Sequence, residues 1–350
     1  MAATATHRPA LLAVLLGVAG AVVATVLGFL TFGAQATVAP HDVPLAVASP
    51  PGQLRQAAER VAQQGGDAVE WHVTDPAQAR QMLDDKEVYG ILELAGGPQG
   101  VQLTVVNSGA VNPQGTQSAT QVLTGAAQGL TAALAQQGVD VAPPHLETVH
   151  PASVAGRIAP LAASALLWLG GLVATLGYGL VIRRRGLRRG PLSRVTLLLT
   201  ISVAATAVVA GFFKLWDSSL TLSWDLLGYM FLTAVAFAAV QGALLRVLNL
   251  GAVAILGPLY LIAPAVAGQV PEMLNPAYRA LLWSWTPFRF STEGIRSLLL
   301  GTPDAPDVTN GLIVLGAMAL AGLIVILWPI RNRVEPRAET GTREPVLADA

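Results

Sequence analysis

The feature that most constrains this chain is a group of six arginines with a long apolar run on each side. The arginines are Arg183, Arg184, Arg185, Arg188, Arg189 and Arg194. Moving one arginine to the bilayer centre costs roughly 2.5–3.5 kcal/mol on an insertion scale, so six would cost roughly 15–20 kcal/mol if the terms added. Short basic loops of membrane proteins stay in the cytoplasm. The sequence predicts that this loop is cytoplasmic, and that it either anchors the topology alone or also contacts a cytoplasmic partner.

The composition is typical of a polytopic membrane protein. Of the 350 residues, 53% are hydrophobic and 12% are charged, and the mean hydropathy is +0.55. A soluble domain carries about 25% charged residues. One polar segment, residues 34–157, holds eleven acidic and five basic residues. Its length suffices for a small domain, and its core must come from packing alone because the chain has no cysteine.

Apolar runs predict six transmembrane helices in a one-plus-five arrangement, each long enough for a hydrocarbon core of about 30 Å. The first is residues 10–33, and the other five form a membrane domain at 158–330. Those five are predicted at 158–182, 195–213, 226–245, 250–268 and 311–330. Basic residues at their ends predict that the N-terminus, 1–9, and the tail, 331–350, are cytoplasmic. The tail is polar and contains Pro336 and Pro345, which predicts that it is disordered.

A cleaved signal peptide is the alternative interpretation of the first run. Ala34-Gln35-Ala36 is similar to a cleavage site. Signal peptides, however, have apolar cores of about 7–15 residues, and this run is much longer. Both interpretations leave residues 34–157 outside the cytoplasm.

The polar segment alternates strand and helix patterns. Val69–Thr74 places Val69, Trp71 and Val73 on one face, as a half-buried strand does. Strands are predicted at 44–48, 69–74, 88–94 and 101–107, and helices at 53–64, 76–85 and 114–137. This order predicts a small mixed α/β extracytoplasmic domain. A linker with three prolines, Pro143, Pro144 and Pro151, follows it.

About forty residues separate the last two predicted spans, which is long for a plain loop. The residues of interest there are Pro271, Trp283, Trp285, Pro287, Phe288, Phe290, Glu293, Arg296 and Gly301. Helical spacing interrupted by prolines predicts a re-entrant segment of one or two short helices. The four aromatic residues are expected at the headgroup level. Glu293 and Arg296 share a helix face, so they form either a local ion pair or a gate at the outer mouth of a pathway.

This segment resembles the end of ABC-2 type exporter membrane subunits. In that family a proline-led segment, a Pro-aromatic turn, an acidic residue, an arginine and a closing Leu-Leu-Gly precede the last span. Pro271, Pro287, Glu293, Arg296 and Gly301 stand at matching positions. Residues 77–83 followed by 88–94 are similar to the helix and strand of the family's periplasmic domain. The likeness covers most of residues 10–330 and is greatest to the YhgE/Pip (phage infection protein) group, although the long coiled-coil insert of many Pip-type proteins is missing.

The resemblance implies a permease of the bacterial plasma membrane that exports an amphipathic or lipid-like substrate. It also implies a homodimer and a separate ABC ATPase subunit, which would contact the arginine loop. The chain has no phosphate-binding Gly-Lys-Ser/Thr motif, because Lys86 follows Asp85 and Lys214 follows Phe213. Membrane lipid is an expected partner, and a nucleic acid is not.

Other functions are weighed against this one. A non-transporting protein whose extracytoplasmic domain binds a ligand, partner or cell-wall component is the alternative. Ion-driven transport needs an ionisable group inside a span, but Asp217 and Asp225 lie in a predicted loop. His145, Glu147 and His150 lack the spacing of a helical zinc motif. We therefore predict no enzyme activity, no metal and no cofactor.

Overall fold

The computed structural model describes residues 7–63, 66–98, 100–187 and 190–329. Among these residues, five helical segments are long and apolar enough to cross a membrane, as expected of a polytopic membrane protein. Arg188, Arg189 and the predicted tail at 331–350 lie outside the described residues.

The described chain is mostly helical. Its longer helices are α1 (His7–Gly28), α2 (Gln53–Gln63), α3 (Pro76–Asp84), α4 (Pro113–Gln136), α5 (Val154–Arg184), α6 (Pro191–Trp216), α7 (Trp224–Leu248), α8 (Val253–Ala267), α9 (Pro287–Leu300) and α10 (Pro306–Leu327). The strands are β1 (Val43–Ala48), β2 (Val69–Thr74), β3 (Ile91–Gly97), β4 (Gly100–Ser108) and β5 (His145–Val149). The strands and α2–α4 form an α/β lobe, and α5–α10 form a helical bundle.

The lobe is built on one five-stranded sheet with the order β2-β1-β3-β4-β5. The β3–β4 pair is antiparallel and the other pairs are parallel. Leu45, Leu92 and Leu103 are fully buried in its core, together with Leu123 of α4. Asp75 caps α3, since its carboxylate accepts a hydrogen bond from the backbone N–H of Gln78 at 3.0 Å.

The fifth strand corrects the sequence prediction, which treats this stretch as a linker. His145–Val149 pairs in parallel with residues 104–108 of β4. Arg80 of α3 fixes it further, because its guanidinium contacts Glu147 at 2.9 Å and Glu93 of β3 at 3.0 Å. The strand lies at the sheet edge and none of its residues is fully buried, so it carries no alternating apolar pattern.

The segment from Trp224 to Ala267 would be about 66 Å long as one helix, roughly twice the thickness of a hydrocarbon core. It is broken at Asn249, whose φ is 51°. Both of its ends lie near the lobe. Asp217, in the loop before α7, accepts a hydrogen bond from Ser153 at the start of α5, and the carbonyl of Gly268, after α8, accepts one from Asn112 at 3.2 Å.

The opposite end of the bundle is rich in arginine, and we call it the arginine end. There Arg194 of α6 donates to the carbonyl of Ile326 of α10 at 2.9 Å. Arg246 of α7 donates to Val325 of α10 at 2.8 Å. The end of α5, with Arg183 and Arg184, belongs to the same side because Arg183 lines a pocket with Arg194 and Arg246.

Helix α1 is continuous with a π-helical turn, Phe29–Gly33, and a last turn, Ala34–Ala36. Its apolar side chains between Leu11 and Val26 are exposed in the single chain. Contacts with the bundle occur at its C-terminal end, where Leu27 packs against a buried cluster, and in the turn that follows, where Tyr278 donates to the carbonyl of Phe29 at 2.8 Å. The helix therefore presents an apolar surface that suits lipid or another helix.

Candidate functional site

The short helix α9 is the element on which the site is built. Pro287 occupies its first turn, where the missing N–H costs nothing. Gly301 ends it with a φ of 92°, a left-handed conformation that favours glycine. At about 21 Å, α9 is too short to cross a hydrocarbon core of about 30 Å. The sequence prediction of short helices between the last two spans agrees with this structure.

Buried contacts hold α9 inside the bundle. Ser291 Oγ donates to Ser164 Oγ of α5 at 2.8 Å, and Thr292 Oγ1 contacts the same hydroxyl at 3.1 Å. Phe288 packs between Trp168 and Phe237, with ring centroids 5.2 and 5.3 Å away. Phe288 is therefore buried in protein, because α5 and α7 enclose its ring, and its depth in the membrane stays a prediction.

A cluster of four charged side chains joins α9 to the lobe. The predicted pair exists, since Arg296 donates to Glu293. Lys86, which follows α3, adds a second cation: its Nζ lies 3.5 Å from Glu293 Oε2 and 3.1 Å from Asp307 Oδ2. Only 9% of the Lys86 side chain and 3% of the Arg296 side chain are exposed. We call Lys86, Glu293, Arg296 and Asp307 the charge cluster.

The charge cluster is balanced, with two cations and two carboxylates. Burial alone would raise the pKa of Glu293, but the charges of Arg296 and Lys86 outweigh it and hold that pKa below its usual value. Glu293 therefore stays ionised at neutral pH. A balanced cluster keeps its cost of desolvation low only while every member has its partner.

Two further contacts fasten the lobe to the membrane side. Tyr89 donates to Glu272 Oε2 at 2.7 Å, and burial together with that carboxylate raises the pKa of Tyr89 well above its usual value. Residues 39 and 41 bond through their backbone N–H groups to the carbonyls of Met273 and Glu272 at 3.0 and 2.9 Å. Met273 packs in the lobe core. The lobe is thus joined to the bundle at several points.

The structure places the other predicted residues of this segment apart from the charge cluster. Pro271 starts a single 3-10 turn. The guanidinium of Arg289 lies 3.8 Å from the ring centre of Trp283, whereas Trp285 is exposed. Gly301 meets the lobe, because an added Cβ would lie 3.0 Å from His150 Nδ1. Sequence reasoning missed Lys86 and Asp307 as partners of Glu293, and no local pattern reveals pairs so far apart in the chain.

Two adjoining cavities open on the lobe end of the bundle. The first, which we call the lateral crevice, has a volume of about 740 Å³ and lies between α5 and α6. Its wall is largely apolar and includes Ile158, Ala162, Leu166 and Phe212. Val154 and Ile158 are exposed, so this cavity opens at the side of the bundle.

The second cavity, the outer crevice, has a volume of about 480 Å³ and is more polar, with His150, Asp217 and Asp225 in its wall. The two cavities share Ser153, Asp217, Ser219 and Leu220. Hydrogen bonds from Ser153 and Ser219 hold the pKa of Asp217 below its usual value. The apolar lateral crevice therefore adjoins the more polar outer crevice, and the ionised carboxylate of Asp217 lies where the two meet.

The arginine loop lies at the far end of the bundle. Arg184 and Arg185 are exposed there, and Arg183 and Arg194 line a small pocket with Arg246. The three residues weighed as a metal site do not converge, since Glu147 binds Arg80 and His150 contacts Asp84 at 3.1 Å. Among the described residues, no group of three possible metal ligands occurs.

Compared with protein-family models, curated proteins and solved structures, the chain shows no match. The resemblance to ABC-2 permeases therefore remains an expectation based on the residues named above.

Proposed function

We propose that this chain is the membrane subunit of an ABC-2 type exporter of the bacterial plasma membrane. It would form a homodimer and move an amphipathic or lipid-like substrate outward. ATP would be hydrolysed by a separate subunit that contacts the arginine loop. In this proposal the chain crosses the membrane six times, with both termini in the cytoplasm and the lobe outside. The separation of the lobe from the arginine end, together with the rule that basic loops stay inside, supports that orientation.

One observation carries the proposal for the substrate. The lateral crevice offers an apolar wall open to lipid, and it continues into the outer crevice beside the lobe. Ligand cavities have volumes of about 300–1,000 Å³, and both crevices fall in that range. A molecule with an apolar tail and a polar head fits this pair of environments, whereas a fully polar solute would leave the apolar wall unmatched.

Enlarging one residue in the lateral crevice tests this path. Ala162 lines the cavity and is only partly buried, so Ala162→Phe fills space without entering the packed core. We expect it to lower efflux of a fluorescent amphipathic dye from intact cells. Val173→Phe is the matched control, because Val173 lies on the same helix, is exposed and lines neither crevice. Equal efflux in wild type and Ala162→Phe, at equal expression, would reject the path.

The ATPase partner is tested by purification from native membranes. We expect a protein with Walker motifs to copurify with the full chain. Replacing Arg184, Arg185, Arg188 and Arg189 with glutamine should weaken that association and lower export while membrane insertion persists. Recovery of the chain with no such protein, under detergents that preserve other ABC complexes, would contradict an ABC exporter.

The charge cluster admits two roles in this exporter. It either docks the lobe or gates the outer mouth of the pathway. A variant with Glu293→Gln and Arg296→Gln separates them. Normal surface expression with altered export would favour the gate, and loss of surface expression would favour docking.

One observation favours a binding protein that does not transport. A cavity of about 430 Å³ lies in the lobe between α2 and α4, and Trp71 and Arg60 line it. The indole Nε1 of Trp71 is buried and has no hydrogen-bond partner. Because this N–H has almost no accessible surface, the indole would have to rotate before a ligand or cell-wall component in the cavity could accept its hydrogen bond. Under this alternative, cells with the wild-type gene and cells lacking the gene would show equal dye efflux, and Trp71→Phe would impair the cellular phenotype without changing that efflux.

A further inference from the structure

The cavity between α2 and α4, which we call the lobe cavity, has a volume of about 430 Å³. Val69 and Trp71 of β2 line it together with residues of both helices. Gly125 and Gly129 of α4 line it and are exposed, so the cavity is open from outside. Ligand cavities have volumes of about 300–1,000 Å³, and the lobe cavity falls in that range.

Two glycines of α4 keep the lobe cavity open. Glycine is, after proline, the least favourable residue in the interior of a helix. At Gly115 of the same helix an added Cβ would clash with the ring of Tyr89, so packing explains that glycine. At Gly125 and Gly129 an added Cβ would meet no described atom within 4 Å. Contacts within the described chain therefore do not require these two glycines, whereas an occupant of the cavity would.

The lobe cavity has a single charge in its wall. Arg60 of α2 is the only charged residue among the described residues that line it. Its Nε donates to the carbonyl of Gln56 in its own helix at 3.4 Å, and within the described chain its two terminal nitrogens have no partner. An anion at the cavity would therefore meet an unpaired guanidinium, and no carboxylate in the wall competes for it.

The wall suits a hydrocarbon chain better than a peptide. Leu130 and Leu134 line the cavity with apolar side chains, and the polar side chains of the described wall are those of Arg60, Gln137 and the buried indole N–H of Trp71. A peptide brings an N–H and a C=O with almost every residue, and burying these groups without partners is unfavourable. A hydrocarbon chain has no such groups, so only its headgroup needs a partner.

We propose that the lobe cavity binds a single-chain anionic amphiphile, with its hydrocarbon chain between α2 and α4 and its acidic headgroup on Arg60. A guanidinium pairs with an acidic headgroup through two parallel hydrogen bonds. The inference rests on the binding role that is the alternative function of the lobe, and it names the class of ligand. It does not depend on export.

The test uses the full chain in native membranes and two photoreactive probes, a diazirine fatty acid and the fatty alcohol of the same length. Peptide mass spectrometry maps the labelled residues, and labelling of α1, whose apolar side chains are exposed, normalises for the amount of probe. We expect the acid to label residues 57–71 and 122–137 more than the alcohol does. Arg60→Gln should lower labelling of the lobe by the acid about two- to fivefold, the range of an exposed ion pair, and leave labelling by the alcohol unchanged.

Filling the cavity is the second arm of the test. Gly129→Leu should remove most of the labelling of the lobe, because the leucine occupies the space of the chain. Its unfolding midpoint should equal or exceed that of the wild type, since leucine favours a helix more than glycine does. Gln128→Leu is the matched control, because Gln128 is exposed on α4 and does not line the cavity. Equal loss of labelling in Gly129→Leu and Gln128→Leu overturns the site.

The probes also separate this inference from the binding role on which it rests. Equal labelling of the lobe cavity by acid and alcohol in the wild type would overturn the anionic class and leave a binding role in place. If neither probe labels the lobe while Trp71→Phe still impairs the cellular phenotype, the cavity binds a different class of ligand, such as a peptide, and the inference is wrong.

Discussion

Lys86 is the residue on which attachment of the lobe depends most. It is one of only two lysines in the chain. Its backbone has a φ of 61°, a left-handed conformation that costs a non-glycine residue about 1–2 kcal/mol. Lys86 lies between α3 and β3, and its side chain reaches Glu293 and Asp307. The contact with two carboxylates offsets the backbone strain.

Replacing Lys86 with methionine should loosen the lobe. Lys86→Met nearly keeps the length of the side chain but removes the ion pair of Asp307 and one of the two ion pairs of Glu293. Removing one partner from a buried ion pair costs about 3–5 kcal/mol, and we expect about 3 kcal/mol because Asp307 is partly exposed. The free energy of unfolding by denaturant in detergent measures this loss.

A second substitution controls for general damage. Adding Asp307→Asn to Lys86→Met removes the stranded carboxylate, so the double variant should recover about 1 kcal/mol or more. If the double variant loses as much stability as the two single variants together, Lys86 acts through packing and not through charge.

The pH dependence follows from the lowered pKa of Glu293. In the unfolded chain this pKa is near 4.5, and in the folded protein it is lower. The ionised carboxylate therefore adds stability that is full above the unfolded pKa and is lost as the pH falls through the folded pKa. We expect the temperature of the unfolding midpoint to fall as the pH is lowered below about 4.5. In Glu293→Gln this fall should be smaller, because the titrating carboxylate is absent. Glu147, whose pKa is lowered by Arg80, contributes a further acid-dependent loss of stability, and this loss persists in Glu293→Gln. An identical profile for wild type and Glu293→Gln would contradict the role given to this carboxylate.

At the scale of elements, the end of α9 depends on one glycine. Gly301 has a φ of 92°, and an added Cβ would also lie 3.0 Å from His150. Gly301→Ala should therefore cost about 2 kcal/mol or more, from backbone strain and the contact together. Gly186 is the matched control, because its φ is 63° but an added Cβ would meet nothing within 4 Å. We expect Gly186→Ala to lower the unfolding midpoint less than Gly301→Ala, and the reverse order would place the critical contact elsewhere.

The elements differ in how far the sequence predicts them. β2 is found at its predicted bounds because Val69, Trp71 and Val73 alternate with polar residues. β5 leaves no such pattern, since its side chains are mostly exposed and its partner strand supplies the pairing. The burial of Phe288 has no local signal, because the rings that enclose it, Trp168 and Phe237, are distant in the chain. The ion pair of Glu293 with Arg296 is visible as a spacing of three residues. Its link to Lys86 is not, because that contact exists only once the lobe and the bundle have packed.

At the scale of the whole molecule, charge is divided between the two ends of the bundle. The lobe end holds balanced contacts such as the charge cluster and the ionised Asp217, whereas the arginine end holds Arg183, Arg194 and Arg246. Such an asymmetry costs least when the basic end faces the cytoplasm. The export proposal requires this orientation, since it needs the two crevices outside and the arginine loop inside.

Single cysteines determine the orientation directly, because the natural chain has none. Gln121→Cys places a thiol on the exposed face of α4 in the lobe, and Leu187→Cys places one in the exposed arginine loop. We expect a membrane-impermeant maleimide to label Gln121→Cys in intact cells, and to label Leu187→Cys only after the membrane is broken. Labelling after lysis serves as the accessibility control for both thiols. Labelling of Leu187→Cys but not Gln121→Cys in intact cells would show the opposite orientation, with the arginine end outside the cytoplasm, and would contradict the proposed topology.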